Sequence, residues 1–406
     1  MTEESFDIVV FGATSFVGKI LCSYMTEQYG LGGSVRWAVA GRSRVKLEAL
    51  RASLGKAADS LELIVADASD EVALKAMVAR AKVIISTVGP YALYGEPLVK
   101  VCAETGTDYV DLAGETQWIR RMVRRYEDVA QASGARIVHC CGFDSIPSDL
   151  GVHFLEREAN AKFGAPATRV KMGVKAIKGG MSGGTVASLM NVMKEVAKEP
   201  ELKKELADPY SICPREHGFS ARQRNITGAK FDKDLGRWLA PFIMAAINTR
   251  VVHRTNALNG KAYGAHFRYD EAMMMKSRMQ ATVATLGMGI FMVLAAMAPT
   301  RYLLERFVVP KPGEGPSPEE QLNGFYDLRF FGKTEAGDVI RARVKGDRDP
   351  GYGSTAKMLA QAGICLAQDI AKPDLKGGFW TPATALGDKL IDRLEKHAGL
   401  VFALDD

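Results

Sequence analysis

Asp7-Ile8-Val9-Val10-Phe11-Gly12-Ala13-Thr14-Ser15-Phe16-Val17-Gly18 is the stretch that decides the fold. A short apolar run stops at a glycine, and small residues lead into a helical pattern that continues to about Tyr29. Gly12 permits a tight turn, while Ala13, Thr14 and Ser15 leave backbone N–H groups free to face a pyrophosphate. Gly18 lets the helix lie close to the sheet, and the helix N-terminus adds partial positive charge. Gly12, Thr14, Ser15, Phe16, Val17 and Gly18 are therefore the expected phosphate-binding residues. The spacing is GxxxxxG, with Ser15 where this variant often has glycine. A glycine pattern alone is weak evidence, and its bland alternative is a strand–helix turn that binds nothing.

The context supplies the specificity. Strands are predicted over 36–40, 61–66, 83–87, 109–111 and 136–140, with helices over 46–54, 71–80, 97–104 and 117–133 between them. Continuous apolar strands alternating with helices predict a parallel sheet covered on both faces, the doubly wound α/β arrangement. Such sheets bind ligands at the carboxyl ends of their strands. There the second strand gives Ala40-Gly41-Arg42-Ser43, without the acid that holds an NAD ribose hydroxyl. Arg42 and Ser43 suit a 2′-phosphate instead, so NADP(H) is the expected cofactor. A solvated loop arginine is the alternative. Asp67 and Ala68 suit the adenine edge, and Thr87, Val88, Gly89 and Pro90 fall where the nicotinamide end should lie.

The chain has 406 residues, 47% hydrophobic and 25% charged, which predicts a globular protein of two or more domains. A net charge of +6, from 53 basic and 47 acidic residues, suits an anionic ligand or an anionic membrane surface. No basic cluster is interleaved with aromatics, so nucleic acid is not an expected partner. Cys22, Cys102, Cys140, Cys141, Cys213 and Cys365 show neither disulfide nor zinc spacing. Reduced thiols, no metal and a cytoplasmic location are expected. The acidic start, running straight into a strand, does not fit a signal peptide.

Beyond Pro147 the rhythm changes. A strand over 169–177, a glycine-rich turn over 179–185, a helix over 186–198 and a strand pair at 328–332 and 339–344 predict a second α+β domain with a mostly antiparallel sheet. Helical patterns follow at 354–366 and 384–397, and 310–318 reads as a stiff linker. Residues 1–150 are assigned to the Rossmann domain and 151–349 to a substrate or oligomerisation domain, a homodimer being compatible. Residues 279–300 carry no charge and are flanked by Lys276, Arg278, Arg301 and Arg306. Roughly 18 apolar residues suffice for a membrane candidate. Three readings stand: a buried helix, a helix in peripheral contact with a membrane, or a wall for an acyl chain built with Met288, Met292 and Met297.

GATSFVG, AGRS, Val88-Gly89-Pro90-Tyr91, Tyr94-Gly95-Glu96-Pro97, Tyr109–Glu115, Gly142–Asp149, Ser182-Gly183-Gly184-Thr185 and Asp349–Thr355 together resemble the saccharopine dehydrogenase-like oxidoreductases. The resemblance spans nearly the whole chain and is strongest to the trans-acting enoyl reductase branch, which acts on polyketide-derived lipid chains. Ser15 departs from that pattern. The resemblance implies NADP(H) and lipid metabolism, with a hydrophobic acyl or small-molecule substrate that is free or carrier-bound. It also implies that about 350–406 packs back on the Rossmann domain, bringing the Gly351-Tyr352-Gly353-Ser354 turn to the cofactor cleft.

Enoyl reduction requires a donor to the enolate oxygen and an acid for the α-carbon. Tyr91 and Tyr94 are the leading donors, with packing against the second domain as their alternative. Asp144, with Asp111, Glu115 and Ser145 as further choices, is a candidate acid. For Asp144 and Ser145 the alternative is helix capping or a hinge hydrogen bond. His139 reads as structural. Two rival functions remain: an amino-acid reductase working on a C–N bond, which needs carboxylate-binding arginines and finds only Arg250 and Arg254, and a non-catalytic lipid-associated nucleotide binder.

Overall fold

The computed structural model describes residues 5–179, 183–307 and 315–405. The path opens with β1 (Phe6–Phe11), α1 (Phe16–Tyr29), β2 (Trp37–Gly41), α2 (Arg44–Ser53), β3 (Leu63–Val65), α3 (Glu71–Val78) and β4 (Ala81–Ser86). It continues through α4 (Tyr91–Tyr94), α5 (Glu96–Thr105), β5 (Asp108–Asp111), α6 (Thr116–Ser133), β6 (Arg136–Val138) and α7 (Ile146–Phe163). The second half begins with β7 (Arg169–Lys178), α8 (Gly183–Lys198), α9 (Leu202–Ala207), β8 (Lys230–Asp232), β9 (Arg237–Ala240), α10 (Ala245–Leu258) and β10 (Arg268–Met275). There follow α11 (Arg278–Ala296), α12 (Ala298–Phe307), α13 (Pro318–Leu322), β11 (Phe325–Lys333), β12 (Val339–Gly346) and α14 (Gly353–Gln368). The chain ends with β13 (Gly378–Trp380), α15 (Pro382–Ala385), α16 (Gly387–Arg393) and β14 (Leu400–Leu404).

Two seven-stranded sheets result. The first runs β13-β6-β5-β4-β1-β2-β3, with every pairing parallel. The chain order reverses beside β1, which is the switch point where such sheets bind ligands. Strand alternation sorts the core. Ile8 and Val10 of β1 share one cluster with Leu359 of α14 and Phe330 of β11, while Val9 and Phe11 face Leu74, Val101 and Ile119 on the other side. The second sheet runs β14-β12-β11-β7-β10-β9-β8 and is antiparallel except between β7 and β10. The chain is therefore α/β, a doubly wound parallel sheet joined to a mostly antiparallel one.

The C-terminal segment divides between the two sheets. Helix α14 lies so close to β4 that a Cβ on Gly363 would sit 2.6 Å from Ile85 Cδ1. Strand β13 extends the parallel sheet beyond β6, whereas β14 pairs with β12 in the other sheet.

Several local expectations are corrected. Pro147 occupies the first turn of α7, a helix absent from the sequence reading. Gly183, Gly184 and Thr185 open α8 instead of belonging to a turn. Gly180, Met181 and Ser182, and most of the expected linker (310–314), lie outside the described residues. The expected helix over 384–397 is broken at Leu386-Gly387, where Gly387 has φ +45°.

Candidate active site

The phosphate cradle is built at the end of β1. Gly12 sits at φ +83°, and a Cβ there would lie 2.7 Å from Thr87 Oγ1 and from Val88 Cγ2. A Cβ on Gly18 would lie 2.5 Å from the Gly12 carbonyl oxygen. Both positions therefore need glycine. Ser15 caps α1: its Oγ accepts from the Gly18 N–H at 3.0 Å and lies 3.1 Å from Thr87 Oγ1. Thr87 Oγ1 donates to the Gly12 carbonyl at 2.9 Å. The serine thus ties the helix start to the β4 loop, and Thr14, Phe16 and Val17 are half-buried around it.

At the β2 end Arg42 is exposed, and Ser43 caps α2 by accepting from Lys46 N–H at 3.4 Å. Asp67 accepts from Ser69 Oγ at 2.6 Å and from its N–H at 2.9 Å. Those bonds, and behind them the charge of Arg42, hold the Asp67 carboxyl below the usual range. Ala68 beside it is half-buried. No acid stands on the β2 loop itself, so a tight turn, a helix N-terminus and a free guanidinium converge. That set fits a dinucleotide with a 2′-phosphate.

Thr87, Val88, Gly89 and Pro90 lead into α4, where one expectation fails. Tyr91 is 5% exposed. Its hydroxyl donates to the Ser86 carbonyl at 3.0 Å and accepts from Leu112 N–H at 3.1 Å. Burial, reinforced by Asp111, pushes its pKa well above the ordinary value. Tyr91 is a strut between the β4 and β5 loops, not a proton donor. Tyr94 closes the same short helix, 50% exposed, with no hydroxyl partner among the described residues.

Asp144 follows β6 at the same edge, partly accessible, its Oδ1 3.4 Å from where a Cβ on Gly114 would stand. Burial of its carboxyl, helped by the like charge of Asp111, pushes its pKa up to about 7. Asp111 is fully buried, bonded to His139 Nδ1 at 2.7 Å, Tyr109 hydroxyl at 3.0 Å and Ala113 N–H at 2.9 Å. It and His139 are internal. Ser145 donates to Asn248 Oδ1 of α10 at 3.1 Å, a hinge contact.

Glu115 does more than the sequence showed. Its carboxylate accepts from the N–H groups of Tyr91 and Ala92, at 2.8 and 3.1 Å, and from Ser188 of α8 at 2.9 Å. Burial raises its pKa. The carboxylate clamps α4 and α8 together. The 349–355 turn closes the other side. Asp349 accepts from the N–H groups of Tyr352 and Gly353, and the Tyr352 ring meets Phe16 edge-on at 4.6 Å. The Tyr352 hydroxyl accepts from Gly183 N–H at 2.7 Å, and Thr355 Oγ1 accepts from Phe143 N–H at 3.0 Å, next to Asp144. Ser188 and Thr355 carried no individual sequence signal.

Arg250 and Arg254 are not substrate anchors. Both are buried, Arg250 donating to the carbonyls of Ala246 and Leu206, and Arg254 to those of Ile212 and Phe379. All six cysteines are free, and no metal-binding cluster occurs among the described residues.

Comparison with known proteins adds three findings. Residues 8–138 match the family described as the saccharopine dehydrogenase NADP binding domain. A Mycobacterium tuberculosis protein provisionally named a trans-acting enoyl reductase is 42% identical over 97% of this chain and 96% of its own length. The trans-acting enoyl reductase of Mycobacterium ulcerans is 37% identical, covering 99% of this chain and 98% of itself. Among solved structures, saccharopine dehydrogenase (L-Glu forming) from Saccharomyces cerevisiae superposes with a TM-score of 0.57 at 13% identity, over 99% of both chains, a likeness of fold.

Proposed function

The chain belongs to the saccharopine dehydrogenase-like oxidoreductases, in the branch of the trans-acting enoyl reductases, and is an enzyme using NADP(H); on that premise we propose that it reduces an enoyl thioester on a hydrophobic, lipid-derived acyl chain. Lipid metabolism and peripheral membrane contact belong to the same proposal. The observation that carries the chemistry is Asp144, a carboxyl at the sheet edge that burial keeps half protonated near pH 7.

The residues present fit the cofactor. Gly12 and Gly18 leave no side chain in the cradle and Ser15 adds only its short capping hydroxyl, so the α1 N-terminus would face the pyrophosphate and Arg42 would meet the 2′-phosphate. NADPH, when bound, supplies a hydride for the β-carbon of the substrate. Asp144 then gives its proton to the α-carbon and recovers it from solvent. Tyr94 is assigned the donation to the thioester oxygen. Burial of Arg250 and Arg254 speaks against the C–N rival, which needs carboxylate anchors.

The test is NADPH oxidation by purified protein with enoyl thioesters on coenzyme A and on a carrier protein. Asp144→Asn should lower kcat by about 10²–10⁴ while leaving NADPH binding intact. Wild-type kcat should fall as pH rises through about 7, since the acid form is required. Tight NADPH binding with no enoyl turnover on either carrier would overturn the reading.

A further inference from the structure

Helix α11 presents an apolar face to solvent. Met279, Val283, Leu286, Ile290, Val293 and Met297 recur at alternating steps of four and three, one stripe of the helix, and each is 52–74% exposed. Tyr302 and Leu303 of α12, the helix that follows, are also more than half exposed. The opposite side is anchored: Ala281 and Ala295 are buried, and Ala295 and Leu304 pack with Val186 and Met190 of α8. The buried-helix reading therefore does not describe this face; of the three methionines of the acyl-wall reading, Met297 stands in the exposed stripe while Met288 and Met292 are half-buried. An exposed stripe of this extent marks a docking surface.

Charge selects the occupant. No Asp or Glu occurs between Glu271 and Glu305, while Lys276 and Arg278 stand at one end of the stripe and Arg301 at the other, with Glu305 and Arg306 adjacent beyond it. Two copies paired through this face, parallel or antiparallel, would set basic end against basic end. An anionic lipid surface answers both ends at once. The helix, about 28 Å long, lies along the second sheet through its contacts with β9 and β10, so it would rest in the membrane plane.

We propose that α11 and α12 dock the enzyme on an anionic bilayer, with α8 linking that surface to the cofactor cleft. Helix α8 joins the two because its first N–H is held by Tyr352, which packs on Phe16, and its Ser188 is held by Glu115. The inference rests on the lipid reading above for its purpose, but its geometry is independent.

The test is flotation of full-length protein with NADPH on phosphatidylcholine vesicles and on mixed phosphatidylcholine–phosphatidylglycerol vesicles. Selective binding to the mixed vesicles is expected, reduced roughly tenfold or more by Arg278→Glu with Arg301→Glu. The double variant Leu286→Gln, Ile290→Gln should stop flotation yet keep the melting temperature and NADPH affinity, since both side chains face solvent. Absence of the wild type from mixed vesicles, or flotation of the Gln variant equal to wild type, overturns the proposal. So does a concentration-dependent dimer that the Gln variant dissolves, which would make a second copy the occupant. Turnover of a short, soluble enoyl thioester reports separately on the proposed activity, so either reading can fail alone.

Discussion

Arg42 and Ser15 show how single side chains divide the cofactor site between recognition and architecture. Arg42 projects into solvent from the β2 loop with Asp67 as its charged neighbour, a guanidinium available to a phosphate. One charge-assisted contact is worth about 1.5–3 kcal/mol. Arg42→Ala should therefore weaken NADPH by tenfold or more and leave NADH almost unchanged, as read by calorimetric titration. Equal losses for both nucleotides would place the 2′-phosphate elsewhere. Ser15 acts differently. As the N-cap of α1 it stabilises a helix start, and Ser15→Ala should cost about 0.5–2 kcal/mol in denaturant unfolding. Ser15→Gly should cost less, because glycine caps tolerably and matches the usual motif. The residue the sequence marked as a departure from the pattern is thus a working alternative to it.

At the scale of elements, what the sequence revealed depended on how its signals were punctuated. The apolar run to Gly12 and the following pattern place α1 over Phe16–Tyr29, the bounds that the structure shows, because strand, turn and cap all agree. The parallel strands were legible for the same reason. Helix α7 was not: Pro147 reads only as the point where the strand–helix rhythm changes, yet proline at a helix's first turn is a start signal. Buried residues on all sides of α7 also erase the polar stripe that periodicity needs. Tyr91 was misjudged because adjacency to the β4 loop says nothing of rotamer, and its hydroxyl turns back to Ser86 and Leu112. Asp144 was legible only as a strand-end acid. Its raised pKa depends on burial by distant segments. The Tyr352 contact to α8 yields an element-scale prediction. Tyr352→Phe removes the acceptor for Gly183 N–H, so amide exchange in the first turn of α8 should quicken while α1 stays protected. Unchanged protection there would show that Glu115 and Ser188 hold α8 without it.

For the whole molecule, two populations of carboxyl groups act in opposite directions on stability. Asp405, despite the opposing effect of burial, is held low by Arg329 and Arg343, and Asp369 likewise by Arg393. A folded pKa below the unfolded one adds stability at neutral pH that is lost as pH falls through the folded value. The interior behind the site holds the reverse. Burial raises Glu156 to about 8, and Asp149 and Glu271 to about 7. Glu156 accepts Ala167 N–H with one oxygen while the other has no hydrogen-bond partner among the described residues. Asp149 receives Thr255 and Ala383, joining α7 to α10 and α15, and Glu271 receives Tyr269 and Asn248. For these groups the folded pKa lies above the unfolded one, so their contribution is complete below about 4.5 and declines as pH rises through 7 to 8. The melting temperature should therefore peak on the acidic side, fall as pH rises from about 4.5 to 8, and change little from these groups above that. Glu156→Gln, which keeps the bond to Ala167 but cannot ionise, should flatten that decline. At about 1–2 °C per kcal/mol for a chain of this size, the difference between variant and wild type should reach a few degrees at pH 9 and shrink toward zero near pH 5. Parallel melting curves across that range would mean that Glu156 is ionised in the folded protein and that the junction between the sheets holds a charge it has no partner to balance.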